Sequence, residues 1–356
     1  MNISMIECYN EVFTRKMVMI LKGLTIGLLF IGLSGCASII ANEITNAKYP
    51  YVAGDVSDLT VEKRICDSNH NCIKTIGLAN TEATHVSLSF DFKINENRKV
   101  WSYQTQNDNI ENVKPLANQL ILIFAGYSQP AEILYIHQQW LQHITGADVI
   151  VIPSADNSDK FQFGLNYTSP LVAEIKRSQP TKVHLVGFSM GALAAQAIEQ
   201  EIDDARLYLF APMTDFEYST KAIYETQYKN KFYAKFISPE ILGDAIKIVY
   251  EKSGTTSRDT DLLVKLDRVS SPTFIYSSSA DKVTDSSVLK SVQNKNVDVN
   301  IYKDLNHIEM VALFSQDLLV EFVSNLLDRP VSKSEVTTLG VLCDFDDNDC
   351  LNELQN

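Results

Sequence analysis

Six short apolar runs, spaced from residue 120 onward, constrain the fold more than any other feature of the chain. They are Leu120-Ile-Leu-Ile-Phe, Val149-Ile-Val-Ile, Val183-His-Leu-Val, Leu207-Tyr-Leu-Phe, Thr273-Phe-Ile-Tyr and Val297-Asp-Val-Asn-Ile-Tyr. Most are unbroken and β-rich, as a strand covered on both faces requires. Between most of them the pattern turns helical, over about 130–144, 169–178, 190–203 and 284–293, and a last amphipathic helix is expected over about 309–328. Alternation of this kind predicts a mostly parallel, doubly wound sheet with helices on both faces. Residues 213–265 interrupt it after the fourth run and read as a mostly helical insertion.

The flanks read differently. His85–Ile94 alternates apolar and polar positions, a half-buried strand, and Val100-Trp-Ser-Tyr-Gln returns beyond Asn95-Glu-Asn as a hairpin partner. Residues 37–80 are polar and poorly periodic, which suggests a tether and an irregular segment. Residues 329–356 read as an acidic tail. Lys plus Arg is 31 against 44 acidic residues, a net charge of −13 with no dense basic cluster. That balance argues against sequence-independent nucleic-acid binding, which needs a basic footprint.

The richest segment is Val183-His-Leu-Val-Gly-Phe-Ser-Met-Gly-Ala-Leu-Ala-Ala-Gln. It reads as a strand, then Gly187-x-Ser189-x-Gly191, then a helix. A serine on a tight strand-to-helix turn is exposed at the helix N-terminus, where free N–H groups favour negative charge. Gly187 and Gly191 remove side chains where the turn packs on its neighbours. Here the chain resembles the α/β-hydrolase superfamily over about residues 85–328, with 213–265 in the place of a cap.

The resemblance implies an acid and a histidine after later strands. Asp281 follows the Thr273 run in Ser277-Ser-Ser-Ala-Asp-Lys-Val-Thr, and His307 follows the Val297 run in Lys303-Asp-Leu-Asn-His-Ile-Glu. His307 would serve Ser189 as general base, and Asp281 would orient the imidazole. Asp285 is the competing acid, but it stands beside Thr284, which reads as the N-cap of the next helix. The oxyanion hole would use the backbone N–H of Met190 and one from the loop Phe124-Ala-Gly-Tyr-Ser-Gln-Pro. Relatives often carry His-Gly-x there. This chain has Ala125-Gly126-Tyr127, so Tyr127 supplies the second N–H or serves only as a pocket wall.

The implied activity is cleavage of an ester or thioester through an acyl-serine, with no cofactor or metal. A peptidase, an acyltransferase and a non-catalytic binding module are the alternatives. Aromatic residues of the insertion, among them Phe216, Tyr218, Phe232 and Phe236, either receive an acyl group or form the cap's own core.

The N-terminus reads as an address. Arg15, Lys16 and Lys22 precede the apolar run from Gly23, which closes on Leu33-Ser-Gly-Cys36. That ending resembles the lipobox of bacterial lipoproteins. It implies a signal peptide over 1–35, with translation starting at Met1, Met17 or Met19, and a lipid on Cys36. Ala37 at the next position resembles an outer-membrane destination in enteric-type bacteria, with the domain facing the periplasm. Cys66 with Cys72 and Cys343 with Cys350 then form two local pairs, as expected of disulfides in an oxidising compartment. Spacing disfavours zinc. Asp344-Phe-Asp-Asp-Asn-Asp lacks the Gly and distal Glu of an EF-hand and reads as a solvated acidic loop.

Overall fold

The structure is a computed structural model that describes residues 27–46, 60–78, 85–94, 97–106, 114–131, 133–333, 335–336, 341–344 and 346. In chain order the strands are β1 (Thr60–Cys66), β2 (Cys72–Leu78), β3 (His85–Ile94), β4 (Asn97–Gln106), β5 (Leu120–Phe124), β6 (Asp148–Ile152), β7 (Val183–Phe188), β8 (Ala205–Phe210), β9 (Thr273–Ser278), β10 (Val297–Tyr302) and β11 (Val341–Asp344). The helices are α1 (Gly27–Thr45), α2 (Leu134–Thr145), α3 (Thr168–Ser178), α4 (Gly191–Glu199), α5 (Phe216–Ile223), α6 (Pro239–Ser253), α7 (Leu262–Leu266), α8 (Ser286–Leu289), α9 (His307–Val311) and α10 (Gln316–Leu327).

Eight strands form one sheet in the order β1-β2-β6-β5-β7-β8-β9-β10. The stretch from β6 to β10 is parallel, and β1 and β2 add an antiparallel edge. Strand periodicity divides the core in two. Leu120, Leu122 and Phe124 of β5 face α3, α4 and the insertion, while Ile121 and Ile123 face α2 and α10. Both faces are covered, which is why β5, β7 and β8 are apolar almost without a break.

Five regions differ from the sequence expectation. Residues 60–78 are not irregular: they form a regular hairpin whose Cys66 and Cys72 face each other in register and are joined by a disulfide. Asp67 accepts the Asn69 and Asn71 N–H groups within its turn, and the Ser169 hydroxyl from α3. Those hydrogen bonds hold the Asp67 carboxyl down at about 2. The β3–β4 hairpin forms as expected, but in a separate three-stranded sheet to which β11 adds from the acidic tail. The helix expected over 284–293 shortens to α8, and the last helix divides into α9 and α10. Finally, α1 runs through Cys36 and packs against α6 of the insertion, with Ala37, Ile40 and Ala41 buried. Cys350 and residues 1–26 lie outside the described residues.

Two imidazoles sit inside the core. His184 on β7 bonds the Gln119 amide oxygen at 2.7 Å and the Tyr208 hydroxyl at 3.3 Å, and burial pushes its pKa down to about 3. Burial also pushes His137 down to about 4, with hydrogen bonding to the Ile133 and Ala312 backbone offsetting only part of it. Both are neutral in the fold, whereas in the unfolded chain each titrates near 6.5. Below that pH the unfolded chain binds protons that the fold excludes. Stability should therefore be complete above pH 6.5 and fall as the pH drops toward 4. The slope should approach about 1.4 kcal/mol per pH unit for each imidazole. Urea melts at pH 7.5 and 5 should show this loss, and His184→Gln should remove roughly half of it. An unchanged pH dependence in that variant would contradict the assignment.

Candidate active site

The turn from β7 into α4 holds Ser189 in the left-handed region, at φ 49°. Such a conformation in a non-glycine residue persists only where the surroundings enforce it. Here the Ser189 N–H donates to the Phe210 carbonyl at 2.9 Å, and the Ser189 carbonyl accepts from Ala192 and Met213 at 3.2 and 3.1 Å. The glycines make room. A Cβ on Gly187 would lie 2.6 Å from the Ala192 Cα, and one on Gly191 would strike the Phe124 and Ala125 carbonyl oxygens. Gly126 is less tight, since its Cβ would come within 3.2 Å of the Ser189 Cβ.

His307 is the first residue of α9, and its backbone is locked by a capping box. The Asn306 side chain accepts from Ile308 and Glu309 N–H, while Glu309 reaches back to the Asn306 N–H at 2.8 Å. The imidazole bridges two elements, with Nδ1 2.7 Å from Asp281 Oδ2 and Nε2 3.1 Å from Ser189 Oγ. A carboxylate only accepts, so Nδ1 carries the proton and the Nε2 lone pair faces the serine hydroxyl.

Asp281 follows β9 with its carboxyl fully buried. Burial alone would raise its pKa. The hydrogen bond and charge of His307, the Thr284 hydroxyl at 2.7 Å and the Val283 N–H at 2.7 Å outweigh burial and hold it below the usual value. Asp285 is half-buried and caps α8, accepting the Ser287 N–H at 2.9 Å. The cap is thus Asp285 rather than Thr284, whose hydroxyl is committed to Asp281.

The loop after β5 lies against the serine through Gly126, and Met190, the residue after Ser189, is the N-cap of α4. The loop has no His-Gly-x histidine, but other groups brace it. Gly126 N–H donates to Gln129 Oε1 at 2.7 Å, and Ser128, at φ 54°, donates its N–H to Asp156 Oδ1 at 3.1 Å. Tyr127 donates its hydroxyl to the Ile44 carbonyl of α1 at 2.9 Å. Gln129, Asp156 and Ile44 were not singled out from the sequence. Asp156 could have been found, because an acid just beyond the C-terminal end of a parallel strand faces the ligand side of such a sheet.

Other candidates lie elsewhere. His137 is buried beneath the site against Phe188, and His143 is exposed. The insertion's aromatics split: Phe216 is buried against Phe163 and Tyr250, Tyr224 donates to the Ala234 and Ile237 carbonyls, and Phe232 and Phe236 face outward. Tyr218, partly exposed, is close enough for Asp285 and Asp281 to add to the effect of burial in raising its pKa. A polar groove of about 1350 Å³ between the β1–β2 hairpin and α3 contains none of Ser189, Asp281 and His307.

No family model and no curated protein matches the chain. Among solved structures it resembles an esterase of Pyrococcus furiosus, with a TM-score of 0.51 and 15% identity over 80% of this chain and 95% of that one. An esterase of Pyrobaculum calidifontis gives 0.45 and 11%, covering 89% and 95%. One of Exiguobacterium antarcticum gives 0.45 and 12%, covering 75% and 100%. The chain has the α/β-hydrolase fold. Within that fold the elbow glycines make a sharp prediction. Gly191→Ala should cost about 1–3 kcal/mol or more, because the Phe124–Ala125 backbone must move. Gly243→Ala, with nothing within 4 Å on α6, should be neutral or stabilising. Urea midpoints would check both, and equal effects would contradict the packing argument.

Proposed function

We propose that the chain is a serine hydrolase that cleaves an ester or thioester. One observation carries the reading: a serine on a strained turn, an imidazole and a buried carboxylate are joined by hydrogen bonds of 3.1 and 2.7 Å. Ser189 Oγ attacks the acyl carbonyl carbon while its proton passes to His307 Nε2. Asp281 stabilises the imidazolium. The carbonyl oxygen becomes an oxyanion held by the Tyr127 and Met190 N–H groups. The tetrahedral centre collapses, the bond to the leaving oxygen or sulfur breaks, and that atom takes the proton from His307. Water then attacks acyl-Ser189, with His307 again as base, and the acid leaves. Every proton moves between groups of the chain, the substrate and water.

A fluorophosphonate probe should label the wild type and not Ser189→Ala. That variant should lose about 10⁴–10⁶ in kcat on an aryl ester. Asp281→Asn should lose about 10⁴, because an amide cannot hold the required tautomer. Asp285→Ala should keep turnover within a few fold and lose about 1 kcal/mol of stability as a helix cap. Wild-type turnover by Ser189→Ala, or no labelling of the wild type, would refute the reading in favour of a binding module.

The proposal extends to the membrane. The basic flank, the apolar run and Leu33-Ser-Gly-Cys36 support cleavage before Cys36 and lipidation of its thiol, with the domain on the periplasmic side of the outer membrane. Gly35 is exposed with nothing within 4 Å of its Cβ position, whereas Cys36 and Ala37 pack on the domain core. Cys36→Ser should release or mislocalise the protein in a carbonate-washed fractionation. Full membrane retention of the variant would favour an uncleaved anchor.

A further inference from the structure

The two most exposed large apolar residues among those described, Phe232 at 60% and Phe236 at 59%, belong to one short helical turn of the insertion, Phe232–Phe236. This is not a frayed loop. Ala234 between them is buried, and the Tyr224 hydroxyl ties the Ala234 and Ile237 carbonyls at 2.9 and 3.2 Å. The fold therefore presents two phenyl rings to solvent from a braced turn, with Tyr233 set edge-on to Phe232 at 5.6 Å. Exposed aromatic pairs of this kind mark interaction surfaces.

Charge narrows the partner. Residues 225–240 contain Lys229, Lys231 and Lys235 against Glu225 and Glu240, a local balance of +1 in a chain whose net charge is −13. Lys229 pairs with Glu225 at 2.6 Å, Lys231 and Lys235 are exposed, and Lys235 enters no ion pair among the described residues. Aromatic rings flanked by lysines suit one environment above others: the boundary between anionic headgroups and acyl chains, where rings bury and ammonium groups reach phosphate. Position agrees. The turn leads through Ile237 and Ser238 directly into α6, the helix against which α1 packs.

We propose that the turn Phe232–Phe236, with Lys231 and Lys235, is a docking surface for an anionic phospholipid bilayer. It is a second membrane contact beside α1 that orients the domain on the lipid surface. The orientation rests on the membrane reading above; the contact itself does not require hydrolysis.

The test uses the full chain carrying Phe232→Trp and vesicles of phosphatidylglycerol and phosphatidylethanolamine. Measured against the wild type, the added indole should shift to the blue and be quenched by brominated acyl chains, as expected for burial about 5–10 Å into the boundary. Lys231→Ala and Lys235→Ala should each weaken vesicle binding about fivefold at low salt, and phosphatidylcholine vesicles should bind less. The same quenching in a Cys36→Ser background would support the docking surface even if the lipid anchor were wrong. An indole that stays in water while the protein sediments with vesicles would overturn the proposal and leave the anchor standing. Indole burial by a soluble protein in place of vesicles would overturn it in favour of a protein partner.

Discussion

The site depends on how closely three backbone segments approach one another at the end of β7. Phe124–Ala125, the Gly187–Gly191 turn and the start of α4 leave no volume for a Cβ at Gly187 or Gly191. That closeness drives the chain through a left-handed Ser189, whose strain is of the order of 1–3 kcal/mol. Backbone bonds to Phe210, Ala192 and Met213 overdetermine the conformation. The strain lies where it is useful, since a relaxed serine would continue the strand or the helix and lose its place opposite His307 Nε2. The parallel sheet makes the approach possible, because β5, β7 and β8 end side by side in register, Phe124 beside Gly187 and Phe188 beside Phe210.

From that serine inward, exposure falls stepwise. Ser189 is partly exposed, the His307 side chain is 19% exposed and the Asp281 side chain is at 0%. A buried carboxylate is costly unless its lone pairs are filled. Asp281 accepts from His307 Nδ1, the Thr284 hydroxyl and the Val283 and Thr284 N–H groups. Its depressed pKa follows from those partners winning over burial. Asp285 has the same chemistry four residues on but is only half-buried and is bonded to the Ser287 N–H and hydroxyl, so its charge stabilises a helix end. Environment separates the two acids.

What was legible in the sequence was what repeats a period or occupies a fixed offset. Five of the six runs became strands inside the sheet, where burial on both faces leaves an apolar mark, and the sixth, β10, is a partly exposed edge strand that keeps its alternation. Ser189, Asp281 and His307 were legible because each follows the end of such a strand. The β1–β2 hairpin was not, since in β1 only Ile65 is buried and Glu62, Lys63 and Arg64 face water. An edge strand with one poor face carries almost no period-two signal. Gln129 is less legible for another reason: it satisfies one backbone N–H of a loop, and no periodicity announces a lone acceptor. Asp156, which accepts from the Ser128 N–H and the Ser154 hydroxyl, is marked only by its place beyond the end of β6. The α1 helix was legible and was passed over. Ala37, Ile40, Ala41 and Ile44 hold the i, i+3, i+4, i+7 spacing of a buried helical stripe, masked by Ser38, Asn42, Glu43 and Thr45 in a short window.

That stripe ties the N-terminus to the chemistry. α1 packs on the domain through Cys36, Ala37, Ile40, Ala41 and Ile44. A helix in a protein draws most of its stability from burying such an apolar face. Docking against α6 is therefore what keeps the Ile44 carbonyl in place. The Ile44 carbonyl in turn accepts the Tyr127 hydroxyl, in the loop whose Gly126 touches Ser189. Undocking α1 would uncover Ala37, Ile40 and Ala41 and strip the Tyr127 hydroxyl of its acceptor together, so the two events share one free energy. The insertion that covers the sheet, the helix that leads to Cys36 and the loop beside the serine consequently behave as one packed unit. The N-terminal helix is part of the site's architecture.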